Sequence, residues 1–294
     1  MSPFRLWLVA ARPRTLPAAV APVLVGTALA GNEDVFKPLR FACALIGSVF
    51  IQVGTNLAND YSDARRGADT EDRLGPVRVT AGGLMPPRRV LIGTWVAFGI
   101  AVAAGAYLIA VAGWELLVVG IASIAAGVLY TGGPKPYGYE GLGELFVFLF
   151  FGVVAVAGSY FVQVEELRWE AFALAVPVGL IAAAILVVNN VRDVDTDRRA
   201  GKRTLAVRLG RERARALYRW VLALSYLAVP IAEAFSDELT AWILLPFASL
   251  PLALPLRRAV DTRTDGASLN AALAGTGRLL AVFSLLLAAG ILLS

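Results

Sequence analysis

The chain has 294 residues, 58% of them apolar and 17% charged, with a mean hydropathy of +0.69. A soluble domain carries about 25% charged residues, so a water-soluble globule is excluded and a membrane protein is indicated. A single cysteine, Cys43, and no histidine exclude a disulfide framework, thiolate or imidazole metal sites and histidine acid–base chemistry. Any metal is therefore a hard cation held by oxygen ligands.

A helix needs roughly 20 mostly apolar residues to cross the hydrocarbon. In chain order, nine runs meet that need: 15–31, 39–59, 90–112, 114–131, 144–163, 169–191, 216–235, 239–256 and 269–293. The first run lacks a small-residue cleavage site and is read as a span, not a signal peptide. Prolines 17, 22, 177, 230, 246 and 251 fall inside spans, where neighbouring helices can re-satisfy the backbone. With nine spans, 22 of the 27 Lys and Arg lie on the side of the N-terminus; Lys37, Arg40 and Arg168 lie opposite, and Arg219 and Arg278 within spans. The positive-inside rule makes the basic side cytoplasmic. Topology thus accounts for the net charge of +5, and no nucleic-acid partner is implied. Cys43 is read as a packing residue.

The two long connections, about 60–89 and 192–215, share a layout. The first opens Asn56-Leu-Ala-Asn59-Asp60-Tyr-Ser-Asp63 and runs through Arg65, Arg66 and Gly67 to Asp69. The second opens Asn189-Asn190-Val-Arg192-Asp193-Val-Asp195-Thr-Asp197 and runs through Arg198 and Arg199 to Gly201. Asp60 and Asp193 are 133 residues and four spans apart, so both reach the same membrane face. This predicts two parallel four-helix half-repeats followed by a ninth helix. If each span continues as a helix, Asn56, Asn59, Asp60 and Asp63 share one face, and so do Asn189, Asp193 and Asp197. Asp195 points elsewhere, into solvent.

Stacked carboxylates repel, and more so near hydrocarbon, so two opposed acidic rows suit a divalent cation between them. Magnesium favours carboxylates combined with substrate phosphates, and a bridging metal makes such a row attractive to an anion. The loops add Arg65, Arg66, Arg73, Arg78, Arg198, Arg199, Lys202 and Arg203. The expected ligand carries a diphosphate head at the cytoplasmic surface and a tail between helices. Self-paired acids and arginines at the interface are the alternative for either cluster alone; the duplication and the asparagines one turn deeper argue against it. Aromatics such as Phe146, Phe148, Phe150, Phe151, Tyr160 and Phe161 read first as packing residues, as do the glycines.

The sequence resembles the UbiA-type intramembrane prenyltransferases, and within them the branch acting on 1,4-dihydroxy-2-naphthoate in menaquinone biosynthesis. The resemblance rests on Asn56-Leu-Ala-Asn-Asp-Tyr-Ser-Asp63, Tyr130-Thr-Gly-Gly-Pro134, Gly141-Leu-Gly-Glu144, Asn189-Asn-Val-Arg-Asp-Val-Asp-Thr-Asp197 and Gly201-Lys-Arg-Thr-Leu-Ala-Val-Arg-Leu-Gly210. It extends over nearly the whole chain. One departure is that Lys135 follows Tyr130 by five residues, where many members have a lysine at four.

The resemblance implies an all-α, polytopic fold of nine transmembrane helices around a central cavity. Residues 1–294 form one domain, and loops 60–89 and 192–215 cap the active site. It also implies magnesium-dependent transfer of a polyprenyl group from its diphosphate to an aromatic acceptor. In the naphthoate branch, carbon dioxide is lost to give demethylmenaquinol. On that basis Asn56, Asp60 and Asp63 are expected to hold one Mg2+, and Asp193 and Asp197 a second, with Asp60 and Asp193 facing a common hollow. Arg78, Lys202 and Arg203 are expected on the diphosphate. Asn59, Tyr130, Tyr160, Asn189 and Asn190 are expected beside the substrate or its allylic cation. The protein is expected in the cell membrane with its N-terminus and active-site loops cytoplasmic. The acid motifs are shared by members acting on 4-hydroxybenzoate or homogentisate, so acceptor choice rests on the branch-specific stretches. A secondary transporter also combines duplicated halves with membrane acids, but its acids belong near the midplane.

Overall fold

The computed structural model describes residues 1–68 and 74–294; Asp69 and Arg73 of the first acidic stretch lie outside them. Among the described residues the regular structure is entirely helical. The order is α1 (Pro3–Ala11), a 3-10 turn (Pro13–Thr15), α2 (Pro17–Asn32), α3 (Pro38–Arg65), α4 (Pro87–Ala112) and α5 (Glu115–Leu129). A 3-10 turn (Tyr137–Glu140), α6 (Gly143–Val147), a π-helical stretch (Phe148–Val154) and α7 (Ala155–Val164) follow. Then come α8 (Trp169–Arg199), α9 (Leu205–Leu209), α10 (Arg211–Ala234), a 3-10 segment (Ala241–Ser249), α11 (Leu250–Thr262) and α12 (Gly266–Leu292). Prolines open α2, α3 and α4 at the first turn, where the missing N–H is no loss.

Each of the nine apolar runs lies on helical structure. Six helices or helix pairs have the length and hydropathy of a span, namely Pro38–Arg65, Pro87–Ala112, Gly143–Val164, Trp169–Arg199, Ala241–Thr262 and Gly266–Leu292. The N-terminal segment and α2 form a pair bent by 54° that makes a seventh. The other two runs fall short of that standard for physical reasons. Helix α5 has only 15 residues, and α10 starts five residues earlier than expected, taking in Arg211, Glu212, Arg213 and Arg215.

The second acidic connection is a helix for most of its length, which corrects the loop expected at 192–215. Helix α8 continues through Asp193 and Asp197 to Arg199, and α3 likewise continues through Asp60 and Asp63 to Arg65. Helix α8 stops where Gly201 adopts φ 75°, a left-handed turn that suits glycine. Thr204 then caps α9 through its side chain, leaving 200–204 and Gly210 as connection.

Helix α8 is the centre of the bundle. In its most apolar 18-residue stretch 72% is buried, against 28% for α3. It packs on α10, α12, α2 and the π-helical stretch, while α3 packs chiefly on α4. A Cβ added at Gly152 would meet the Gly179 Cα at 2.6 Å, so the π-helical stretch and α8 touch backbone to backbone. Large apolar side chains such as Trp95, Val118, Trp220 and Leu227 face outward, as a bilayer-facing surface requires.

Candidate active site

Helices α3 and α8 present their acidic ends to one cavity of about 460 Å³. Asn56, Asn59 and Asp63 line it from α3, and Asn189, Asn190, Asp193 and Asp197 line it from α8. The helical spacing of 3 and 4 is the cause, because helix continuation carries these residues down one stripe of each helix. Asp195 projects away and pairs with Arg211 at 2.7 Å.

Asp63, 1% exposed, is the hub. Its Oδ2 meets Arg78 at 3.0 Å and Lys202 Nζ at 3.7 Å, and its Oδ1 accepts the Tyr139 hydroxyl at 2.5 Å. Lys202 Nζ also sits 4.8 Å from the centre of the Tyr139 ring, a cation–π distance. Asp60 has a different task from the one expected. It does not line the cavity; its two oxygens accept the backbone N–H groups of Val79 and Thr80 at 3.1 and 2.9 Å. Asp60 thereby pins the segment that delivers Arg78, while Asn59 and Asp63 face the hollow. The physical reason is the helix phase: one residue of rotation, 100°, turns Asp60 away from Asn59.

In the second motif Arg192 grips Asp193 through Nε (2.8 Å) and Nη2 (2.5 Å). Arg192 is 1% exposed and also donates to Asn189 Oδ1 at 2.9 Å and Asn270 Oδ1 at 2.6 Å. Asn270, in the first turns of α12, donates onward to the Leu74 carbonyl at 2.8 Å. Asn190 donates to Glu144 at 2.8 Å, and Asn59 accepts from Thr131 at 2.9 Å. Both clusters are thus charge-compensated by buried cations, as carboxylates next to hydrocarbon must be.

Two more of the expected residues, Tyr160 and Arg203, stand elsewhere. Tyr160 is fully buried and donates to Glu33 at 2.7 Å, at the end of the bundle opposite the aspartates, because its position on α7 is too far along the chain to reach them. Arg203 has an exposed side chain; its backbone N–H donates to Tyr139 O at 2.8 Å and its carbonyl accepts from Arg208 Nε at 3.0 Å. Lys135 is exposed as well. Tyr130 does line the cavity and belongs to a ring cluster with Tyr137 (5.4 Å between centroids), which stacks on Phe146 (4.0 Å). The Tyr137 hydroxyl donates to Ala126 O at 2.9 Å, and burial pushes this phenol well above its ordinary value, so it stays neutral.

Sequence reading missed Tyr139, Thr131, Glu144 and Asn270 as partners of the motif residues. A tyrosine in a Gly- and Pro-rich connection carries no periodic signal, and Asn270 looks like a helix-start residue. Their roles come from tertiary placement alone.

A divalent ion is testable against this donor set. Among the described residues no three acidic side chains group closely enough to hold an ion by themselves. The cavity nevertheless offers carboxylate oxygens from Asp63, Asp193 and Asp197 and amide groups from Asn56 and Asn59. Magnesium completes its shell from substrate phosphates rather than from an all-protein cage, so the set fits an ion that arrives with a diphosphate. Beyond the polar end, Leu108, Ile109, Leu117, Ile121 and Phe150 make the wall apolar.

Residues 19–274 match the model of the UbiA prenyltransferase family. The chain is 41% identical to 1,4-dihydroxy-2-naphthoate octaprenyltransferase of Mycobacterium tuberculosis (strain ATCC 25618 / H37Rv), covering 98% of this chain and 97% of the relative. It is 38% identical to the protein of that name from Escherichia coli (strain K12), over 98% and 95%. A UbiA homolog from Archaeoglobus fulgidus, solved bound to GPP and Mg2+, has a similar fold, with a TM-score of 0.72 at 16% identity over 98% of this chain and 100% of that one. A multi-pass helical chain, two acidic motifs on one cavity and a family match across most of its length lead to one conclusion: this protein belongs to the UbiA prenyltransferase family.

Proposed function

We propose that the protein transfers a polyprenyl group from its diphosphate to 1,4-dihydroxy-2-naphthoate, with loss of carbon dioxide, at the cytoplasmic face of the cell membrane. The observation that carries this reading is the shape of the cavity: acidic and cationic at one end, apolar and aromatic along the rest. That polarity matches an amphiphile with a diphosphate head and a hydrocarbon tail. The naphthoate acceptor is supported by the names of relatives at 38% and 41% identity.

Asp63, Asp193 and Asp197, with Asn56 or Asn59, would hold magnesium. When bound, the metal screens the diphosphate's negative charge and stabilises it as a leaving group. The chain's own residues supply the remaining functions. Arg78 and Lys202 exchange part of their interaction with Asp63 for the phosphate oxygens, a charge-assisted contact that strengthens as the leaving group gains charge. Arg192 holds Asp193 through two hydrogen bonds and so fixes the direction in which its carboxylate points. The faces of Tyr130 and Phe146 line the path of the allylic carbon and can stabilise positive charge there. The apolar wall excludes water that would quench the cation. The acceptor's ring carbon then bonds to the allylic carbon, and its carboxylate departs as carbon dioxide.

Product analysis by mass spectrometry tests this. Purified protein would be given one prenyl diphosphate with 1,4-dihydroxy-2-naphthoate, 4-hydroxybenzoate or homogentisate. Decarboxylated prenyl naphthoquinol from the first acceptor is expected. Product only from another acceptor contradicts the assigned substrate, and product from none contradicts prenyl transfer.

A further inference from the structure

Arg12 occupies the corner between α1 and the Pro13–Thr15 turn with φ 53° and ψ 70°. A non-glycine residue enters this left-handed region at a cost, and the following proline adds to it by favouring an extended predecessor. Glycine would fit the corner without strain. Strain of this kind at a cavity wall points to a side chain with a task. The Arg12 side chain lines the cavity beside Thr15, Gln52 and Asn56.

The corner is fastened to α3. Asn56 Nδ2 donates to Ala11 O at 2.9 Å and to Thr15 Oγ1 at 3.2 Å, and Gln52 Nε2 donates to Thr15 Oγ1 at 3.2 Å. Arg12 is therefore held at the level of Asn56, two helical turns or about 10 Å before Asp63 along α3. Arg78 and Lys202 stand with Asp63, and Arg192 with Asp193, so those cations belong to the diphosphate end. Arg12 is a further cavity cation, carried not on the segments that bear Asp63 and Asp193 but on a corner anchored at the level of Asn56, where a second substrate would meet the prenyl chain. A guanidinium binds a carboxylate through two parallel N–H donors and fixes its plane.

We propose that Arg12 binds the carboxylate of the aromatic acceptor and thereby sets which ring carbon faces the prenyl diphosphate. This rests on the prenyl-transfer reading with a naphthoate acceptor.

The test uses the full-length protein and its Arg12→Gly and Arg12→Lys variants in detergent. Arg12→Gly removes the guanidinium while relieving the backbone, so its melting temperature should equal or exceed that of the parent. Its KM for 1,4-dihydroxy-2-naphthoate should rise at least 10-fold, with KM for the prenyl diphosphate changed less than 2-fold. Arg12→Lys, retaining one charge, should recover part of the loss. Calorimetric binding of the unreactive analogue 1-hydroxy-2-naphthoate should weaken in parallel. Equal naphthoate affinity in all three proteins, or a KM increase confined to the diphosphate, would overturn the assignment. Lack of turnover by the unsubstituted protein would instead overturn the prenyl-transfer reading, and the analogue-binding comparison would still decide the role of Arg12.

Discussion

Lys202 Nζ lies 3.7 Å from Asp63 Oδ2, although Asp63 closes the first acidic motif and Lys202 follows the second, in the other half of the chain. Tyr139, from a third connection, touches both. The two acidic motifs are therefore joined by a buried carboxylate with a cation on loan from the other half of the chain. A diphosphate entering this cavity would find Lys202 and Arg78 already positioned, and Asp63 would be released toward a metal as they turn to it.

Asp63→Asn and Asp193→Asn should each lower turnover at least 1,000-fold in a prenyl-transfer assay at saturating Mg2+, with the helical circular dichroism spectrum retained. Asp60→Asn should be milder, because its carboxylate serves the Val79 and Thr80 amides. Its loss loosens the segment carrying Arg78 and should show mainly as a higher KM for the diphosphate. Equal collapse of kcat in Asp60→Asn and Asp63→Asn would contradict this division of labour.

Tyr139→Phe deletes the hydroxyl on Asp63 and leaves the ring under Lys202. A hydrogen bond to a charged group is worth about 1.5–3 kcal/mol, so kcat/KM should fall roughly 10- to 100-fold. Lys202→Ala and Arg78→Ala should weaken the apparent affinity for the diphosphate more than that for the acceptor. Initial-rate measurements with each substrate varied separately would separate these effects, and a loss confined to the acceptor would move either residue to the other substrate.

The contact between the π-helical stretch and α8 gives a stability prediction. At Gly179 an added Cβ would lie 2.9 Å from the Gly152 Cα, so Gly179→Val should destabilise by about 1–3 kcal/mol through overpacking. Gly47, on the cavity wall, has open space around a would-be Cβ, and Gly47→Ala should leave the melting temperature almost unchanged. Thermal unfolding in one detergent compares them directly; equal shifts would refute the packing argument.

At the opposite end of the bundle Glu165 pairs with Arg40 at 2.7 Å and Lys37 at 3.1 Å. The Arg40 hydrogen bond first, then that of Lys37, holds its carboxyl below the ordinary value. A depressed folded-state pKa contributes stability that is present above the unfolded value, about 4.3, and is lost as pH falls through the folded one. The melting-temperature advantage over Glu165→Gln should therefore be constant above about pH 5.5 and shrink below about 4.3. An advantage that grew on acidification would have the wrong sign.

The hydropathy of the chain announces nearly all of its helical segments, because lipid and protein surroundings demand the same apolar runs. The helical phase of Asn56, Asn59, Asp63, Asp193 and Asp197 likewise follows from spacing once the helices continue past the membrane. What spacing leaves open is the rotation of each helix about its axis. That rotation turns Asp60 to a loop amide pair and Asp63 to the cavity. Nor does spacing place partners brought from other elements, such as Tyr139 and Asn270, or tell a cavity aromatic such as Tyr130 from a bundle-end one such as Tyr160. Those depend on packing between elements far apart in the chain.

The most direct measurement is pyrophosphate release by purified protein in detergent, with a prenyl diphosphate and 1,4-dihydroxy-2-naphthoate, as Mg2+ is titrated in after chelation. The account predicts no release with chelator, saturable recovery with Mg2+, and none at any Mg2+ concentration in Asp193→Asn. Release without a divalent ion, or full Mg2+-dependent recovery in Asp193→Asn, would contradict it.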